Sequence, residues 1–179
     1  MPEIEIRPAL TTDYSVLAEI EHSSRTEYVW QMDRSFEIGQ IAVSFREIRL
    51  PRSIRIEYPH THDQIVEGWK KSSGVLMAVL AGQPVGYVSI NDQLAPRAAW
   101  VTDLAVSETH RRQGIGSALL LSAQGWASQR RLRRIILEMQ SKNNAALRMA
   151  LKLGYEFCGY NDQYFANQDI ALFFAQPLR

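Results

Sequence analysis

Trp100-Val-Thr-Asp-Leu-Ala-Val-Ser-Glu-Thr-His-Arg-Arg-Gln-Gly-Ile-Gly-Ser-Ala-Leu-Leu-Leu121 reads as an apolar strand, a basic turn punctuated by glycine, and the start of a helix. Val101 to Val106 is short, apolar and bounded by turn formers, whereas Ile115, Ala118, Leu119 and Leu121 recur at helical spacing. The two periodicities meet at Arg111-Arg112-Gln113-Gly114-Ile115-Gly116. The first turn of a helix leaves backbone N–H groups without intrahelical acceptors, and the helix dipole adds positive potential there. Gly114 and Gly116 let the backbone approach an anion with no Cβ in the way, and Arg111 and Arg112 add forked cationic donors. The junction is expected to hold a diphosphate.

Upstream, Glu3-Ile-Glu-Ile-Arg7 alternates like a half-buried strand, and a helix capped at Thr11 or Thr12 follows. Ser24 to Met32, carrying Tyr28, Val29 and Trp30, has weaker amphipathic spacing that fits a second short helix, or its exposed aromatics rim a substrate pocket instead. Ile41, Val43, Phe45 and Ile48, then Ile54 and Ile56 across the break Pro51-Arg52-Ser53, predict a hairpin, with a bulge allowed. Arg46, Arg49, Arg52 and Arg55 fall on its solvent side. A helix from Thr61 through Trp69 ends near Gly74. Val75–Leu80 and Val85–Ile90 flank Ala81-Gly-Gln-Pro84 as a second hairpin. Downstream, Ile135–Met139 reads as a buried strand, Asn143–Leu153 as a helix stopped by Gly154, and Tyr155–Tyr160 and Ile170–Phe174 as strands. The last is apolar enough to meet a second copy if it lies at an edge.

This order predicts an α/β (α+β) fold, a mixed and mostly antiparallel sheet flanked by helices, with its parallel part near residues 100 to 140. The 179 residues are expected to form a single domain, residues 1–179. A net charge of +1 gives no global attraction to nucleic acid or membrane, and no stretch approaches the about 18 apolar residues of a membrane span. One cysteine, Cys158, excludes an intramolecular disulfide and suits the cytoplasm. Cys158 itself is expected as buried packing. His60-Thr-His62 lacks further ligands and is assigned to a turn, so no metal is expected.

On these residues the chain resembles the GCN5-related N-acetyltransferases. Arg111-Arg112-Gln113-Gly114-Ile115-Gly116 matches that family's Q/R-x-x-G-x-G/A signature after Leu104-Ala105-Val106. Ile136-Leu-Glu138, Asn143, Ala145 and Leu153-Gly-Tyr-Glu156 follow at the family's spacings. The segment from Trp100 through Leu172 is similar to the streptothricin-type and ribosomal-protein-type members.

The resemblance implies an enzyme that moves the acetyl group of acetyl-coenzyme A to a primary amine, of a small molecule or of a peptide, by direct attack in a ternary complex. It implies a coenzyme site made of Leu104, Ala105, Val106, Arg111, Arg112, Gln113, Gly114, Ile115, Gly116, Ser117 and Asn143. Glu138 is the first candidate for the base, Asp103 the second and Glu57 a distant third. Many members carry a tyrosine where this chain has Ala150, which leaves Tyr160 and Tyr164 as candidate proton donors. Two further readings follow from particular residues. Ala150 suits a non-catalytic acyl-coenzyme A-binding module, and Arg130-Arg-Leu-Arg-Arg134 an RNA-binding domain. Acceptor choice is expected in Ser24–Lys71 and Asn161–Gln168.

Overall fold

The computed structural model describes residues 3–179. In chain order they form β1 (Ile4–Pro8), α1 (Tyr14–Ala18), β2 (Ser24–Glu37), β3 (Gln40–Ile56), α2 (His62–Lys71), β4 (Gly74–Leu80), β5 (Gln83–Asn91) and β6 (Ala98–Val106). Then come α3 (Ile115–Gln129), β7 (Arg134–Gln140), α4 (Asn144–Lys152), β8 (Glu156–Asn161) and β9 (Ala171–Pro177). Seven strands make one sheet in the order β1-β4-β5-β6-β7-β9-β8, and β2 pairs only with β3 in a separate ribbon. Every neighbour in the large sheet is antiparallel except β6 and β7. The expected mixed, mostly antiparallel sheet with helices on its faces is therefore found.

Both faces of the sheet are covered. Leu119, Leu120, Ala123 and Ala127 of α3 and Leu147 and Ala150 of α4 pack on one side, with Val88, Ile90, Val101 and Leu137. Leu17 and Ile20, with Ile65 and Trp69 of α2, pack on the other, against Val75, Met77, Tyr87 and Ala105. No helix among the described residues is long and apolar enough to cross a membrane.

A bulge in β6 shapes the centre. Ser89 lies opposite Asp103 and Ile90 opposite Val101, so Thr102 is the extra residue. The bulge shifts the alternation: Ala99, Val101, Leu104 and Val106 share the α3/α4 side, while Ala105 joins the α1/α2 side. An inserted residue bends its strand, and the parallel pairing with β7 stops there, at Val101 opposite Leu137. Beyond that pair the strands part and leave one edge of Thr102–Val106 without a neighbouring strand.

The ribbon differs from expectation. Ser24–Glu37 is a strand of 14 residues, not a short helix, because it pairs along Gln40–Ile56 and because Thr26, Tyr28, Val29 and Trp30 favour pleated backbone. The reversal is at Gly39, whose φ of +79° suits a residue without Cβ, rather than at Pro51. Pro51 instead sits inside β3 where the register shifts between Thr26 and Tyr28, a place that needs no ladder N–H. All four arginines of β3 are exposed, as expected. The strand Ile170–Phe174 is not at an edge either: β9 lies between β7 and β8, and Cys158 is exposed on the edge strand β8 rather than packed inside.

Candidate active site

The turn before α3 is built as its sequence suggests. Arg112 has φ +65° and Gly114 φ +85°, and two left-handed residues so close together swing successive N–H groups to one side. Among the described residues, none of the backbone N–H groups from residue 112 to 117 has a protein acceptor; the first regular helical bond there is Ala118 N–H to Gly114 O, 3.0 Å. A row of unpaired N–H groups at a helix start fits a diphosphate. A Cβ on Gly114 would meet nothing within 4 Å, whereas one on Gly116 would come within 3.1 Å of Met149 Sδ. Gly114 therefore serves conformation and access, and Gly116 serves the packing of α3 on α4.

The two arginines divide their work, which corrects the expectation that both face the anion. Arg111 turns inward: its Nε donates to Val106 O (2.9 Å), Nη1 to Ser23 O (3.0 Å) and Nη2 to Glu21 O (2.5 Å). It fastens the end of β6 to the chain leading into β2. Arg112 is exposed and lines a groove with Arg25, Tyr28, Asn143, Asn144 and Arg148. Replacing Arg111 with alanine is therefore expected to lower stability by about 2 kcal/mol, or several degrees of Tm at this chain length, while Arg112→Ala leaves Tm in place; differential scanning calorimetry of the two variants checks this.

Between the parted strands runs a cleft lined by Thr102, Leu104, Glu138, Gln140, Asn143 and Met149, with Tyr58, His60 and Phe165 also on its wall. Asn143 borders both this cleft and the groove at Arg112. It caps α4, with Oδ1 accepting the N–H of Ala146 at 3.2 Å.

Glu138 lies on β7 one residue past the last β6–β7 pair. Its Oε2 accepts from Trp100 Nε1 (2.7 Å) and Tyr164 O–H (3.3 Å), and no protein donor reaches Oε1 among the described residues. Burial pushes its pKa above the ordinary carboxylate value, against the indole N–H that favours the anion. Burial and the neighbouring carboxylate push the Tyr164 phenol up to about 12.

Asp103 is buried on the opposite side of the bulge. Its Oδ1 accepts from His60 Nδ1 at 2.9 Å and from the Tyr58 hydroxyl. Burial acts to raise its pKa, but the bonds from His60 and Tyr58 outweigh burial and hold it below the usual carboxylate range. The same bond raises His60 above an ordinary imidazole. The cluster continues to His22, which meets the Tyr87 hydroxyl at 2.7 Å and stacks 4.8 Å from the Tyr58 ring.

Of the expected site residues, the structure brings Glu138, Leu104 and Asn143 to the cleft, Asp103 behind its wall and Tyr164 to its rim. Tyr160 is elsewhere: it packs 5.4 Å from Phe45, where the ribbon crosses β8. Glu57 pairs with Arg55 at 2.7 Å on the surface. Tyr58 and His60 also line the cleft, where the sequence suggested only the end of a hairpin and a turn.

The comparisons agree with this architecture. Residues 42–155, well over half of the chain, match the model of the acetyltransferase (GNAT) family, and the chain belongs to that family. It is 22% identical to the streptothricin acetyltransferase of Streptomyces lavendulae over 97% of this chain and 94% of the relative. It is 27% identical to an N-alpha-acetyltransferase of Sulfurisphaera tokodaii over 85% of this chain and 94% of that one. Among solved structures, one from Bacillus anthracis described as a streptothricin acetyltransferase, in complex with acetyl coenzyme A, superposes with a TM-score of 0.77 at 21% identity. The match covers 99% of this chain and 98% of that one. The chain is thus an acyltransferase that uses acetyl-coenzyme A.

Proposed function

We propose that the chain acetylates a primary amine of a small cationic molecule, streptothricin being the first acceptor to test, by direct attack on acetyl-coenzyme A. The carrying observation is Glu138: a half-buried carboxylate lining the cleft, with one oxygen held by Trp100 and Tyr164 and the other without a protein donor among the described residues. Partial desolvation of a carboxylate without a cation is costly, so the open oxygen favours an arriving ammonium ion, and its raised pKa suits removal of a proton from it.

The coenzyme supplies the activated acetyl group. In this reading the N–H groups of Arg112, Gln113, Gly114, Ile115, Gly116 and Ser117, with the Arg112 guanidinium, bind the diphosphate. The unpaired edge around Leu104, Ala105 and Val106 takes the pantetheine arm as an added strand and directs an N–H toward the carbonyl oxygen. Asn143 contacts the arm from α4. Arg111 acts indirectly by fixing the end of β6. Leu104 to Ser117, with Asn143, serve the coenzyme in this reading; the ribbon, Glu138 and the 162–169 loop face the acceptor. A single domain, and a cytoplasmic setting where acetyl-coenzyme A is available, suit this reading.

A second acceptor class, the N-terminal amine of a peptide, is favoured by the 27% identity to the N-alpha-acetyltransferase. Coenzyme A release from acetyl-coenzyme A, followed with streptothricin and with alanine- and methionine-initiated peptides, separates the two. We expect turnover with streptothricin and none with the peptides; the reverse preference would replace the small-molecule reading. In the absence of any acceptor, acetyl-coenzyme A at about a hundredfold above its Kd should stabilise the fold by about 2.7 kcal/mol, and millimolar ligand that leaves Tm unchanged would remove the coenzyme site as drawn.

A further inference from the structure

Acetyl transfer ends with a proton on the departing sulfur, and the residues treated so far do not supply it. Ala150 is buried in the core with no ionisable group to offer. Tyr164 stands outside the lining of the cleft, with its O–H directed to Glu138 Oε2 at 3.3 Å. Tyr160 packs on Phe45, away from the cleft.

We propose that His60, oriented by Asp103 and Tyr58, is the catalytic acid that protonates the leaving sulfur of the coenzyme, an inference that rests on the acetyl-transfer reading above. Asp103 Oδ1 fixes the imidazole by accepting from Nδ1, and by accepting from Tyr58 as well it pins both ends of the Tyr58-Pro-His60 segment to the bulged strand. That leaves Nε2 as the free ring nitrogen, with no protein partner among the described residues, on a ring that lines the same cleft as Glu138 and Leu104. Phe165 sets its ring edge-to-face at 6.0 Å and restricts the imidazole from the outer side. This is the arrangement in which a carboxylate sets the orientation and protonation of a histidine whose other nitrogen does the proton transfer.

The surrounding charges favour the imidazolium. Asp103 faces it from β6 and Glu138 from β7, and both carboxyl groups raise its pKa against the lowering effect of burial. Tyr58, on its own segment, and Tyr87, on β5, are held neutral by burial. His22, beyond Tyr58, has its pKa lowered by burial. His62 and Asp63 at the start of α2 are exposed.

The step balances as follows. The acceptor arrives as an ammonium ion, and Glu138 passes its first proton to solvent. The nitrogen lone pair forms the N–C bond to the acetyl carbon, the second proton goes to Glu138, and the C–S bond breaks with its electron pair on sulfur. His60 gives its Nε2 proton to that pair; Glu138 then releases the second amine proton to solvent and His60 is reprotonated from water, so two protons leave, one returns, and one is released per turnover. Asp103 and Tyr58 are positioning residues.

The test combines turnover with a binding measurement that needs no acceptor. With streptothricin and acetyl-coenzyme A, His60→Gln is expected to lower kcat by about 10²-fold with the coenzyme-induced Tm shift unchanged. An acid works only in its protonated form, so wild-type kcat falls as pH rises through the His60 pKa; His60→Gln loses that limb and Asp103→Asn moves it to lower pH. Independently, the ultraviolet absorbance of bound coenzyme A follows its thiol, which should titrate about one to three pH units lower in the wild-type complex than in the His60→Gln complex, as expected for a cation within reach of the sulfur. An unshifted thiol together with an intact basic limb in His60→Gln overturns the assignment. If the wild type turns over no amine while its bound thiol is displaced as described, the placement of His60 stands and the transfer reading fails. Should His60→Gln not fold, Asp103→Asn decides: an unmoved basic limb and thiol titration overturn the proposal.

Discussion

Glu138→Gln is expected to reduce kcat by about 10²- to 10⁴-fold while leaving the acetyl-coenzyme A-induced rise in Tm intact. Glutamine keeps the side-chain volume and still accepts from Trp100 and Tyr164, so the wall of the cleft survives; only the ability to take a proton goes. The pH dependence carries a sign. Burial raises the Glu138 pKa, the base is active in its ionised form, and kcat of the wild type should therefore fall as pH drops through that raised value, at a higher pH than for an exposed glutamate. The variant should lack this acidic limb. Steady-state rates across the pH range check it, and a variant within about threefold of wild type with the same limb would transfer the role of base to another group.

Gly114→Val should have an effect of similar size on the other half of the reaction. The position has φ +85°, where a β-branched residue is strained by roughly 1–2 kcal/mol, yet a Cβ there meets nothing within 4 Å. The fold can therefore accept the side chain only by turning the backbone out of the left-handed region, which scatters the N–H groups of residues 112 to 117. We expect at least a hundredfold weaker coenzyme binding. At a ligand concentration a hundredfold above the wild-type Kd, stabilisation would fall from about 2.7 to about 0.4 kcal/mol, which thermal melts read directly. A retained shift would mean that side chains, not the backbone fan, hold the diphosphate.

The parts that were legible from sequence are those governed by local rules. The glycine at Gly114, the helical spacing of α3 and the turn between β4 and β5 each state their geometry within a few residues. The ribbon was not legible, because Ser24–Glu37 gains its conformation from a partner strand up to 32 positions away in sequence, as Ser24 opposite Ile56 illustrates, and pairing overrode a weak helical spacing. The bulge at Thr102 was hidden for a related reason: Ala98–Val106 reads as an apolar run broken by Thr102-Asp103, with no mark of an extra residue, and only pairing with β5 reveals it. The placement of His60 and Tyr58 at the cleft was not legible because it depends on Asp103, which lies 43 and 45 positions further along. Arg111 was misread since a basic residue beside a glycine turn carries no mark of which way its guanidinium points.

The ribbon also bears on how such an enzyme can change its clientele. Its strands hydrogen-bond to each other and not to the seven-stranded sheet. It rests on the remainder through a few contacts, such as Trp30 Nε1 on Asn144 Oδ1 at 2.9 Å, the fork of Arg148 on Glu47, and Phe45 on Phe157. Its tip, with Phe36, Ile38 and Ile41 in solvent, touches no core. Residues of β2 and β3 outside those anchor points can thus be exchanged with little penalty to the sheet that carries the turn before α3, and if the ribbon faces the acceptor as proposed, mutation there changes the acceptor while the donor half of the molecule stays fixed.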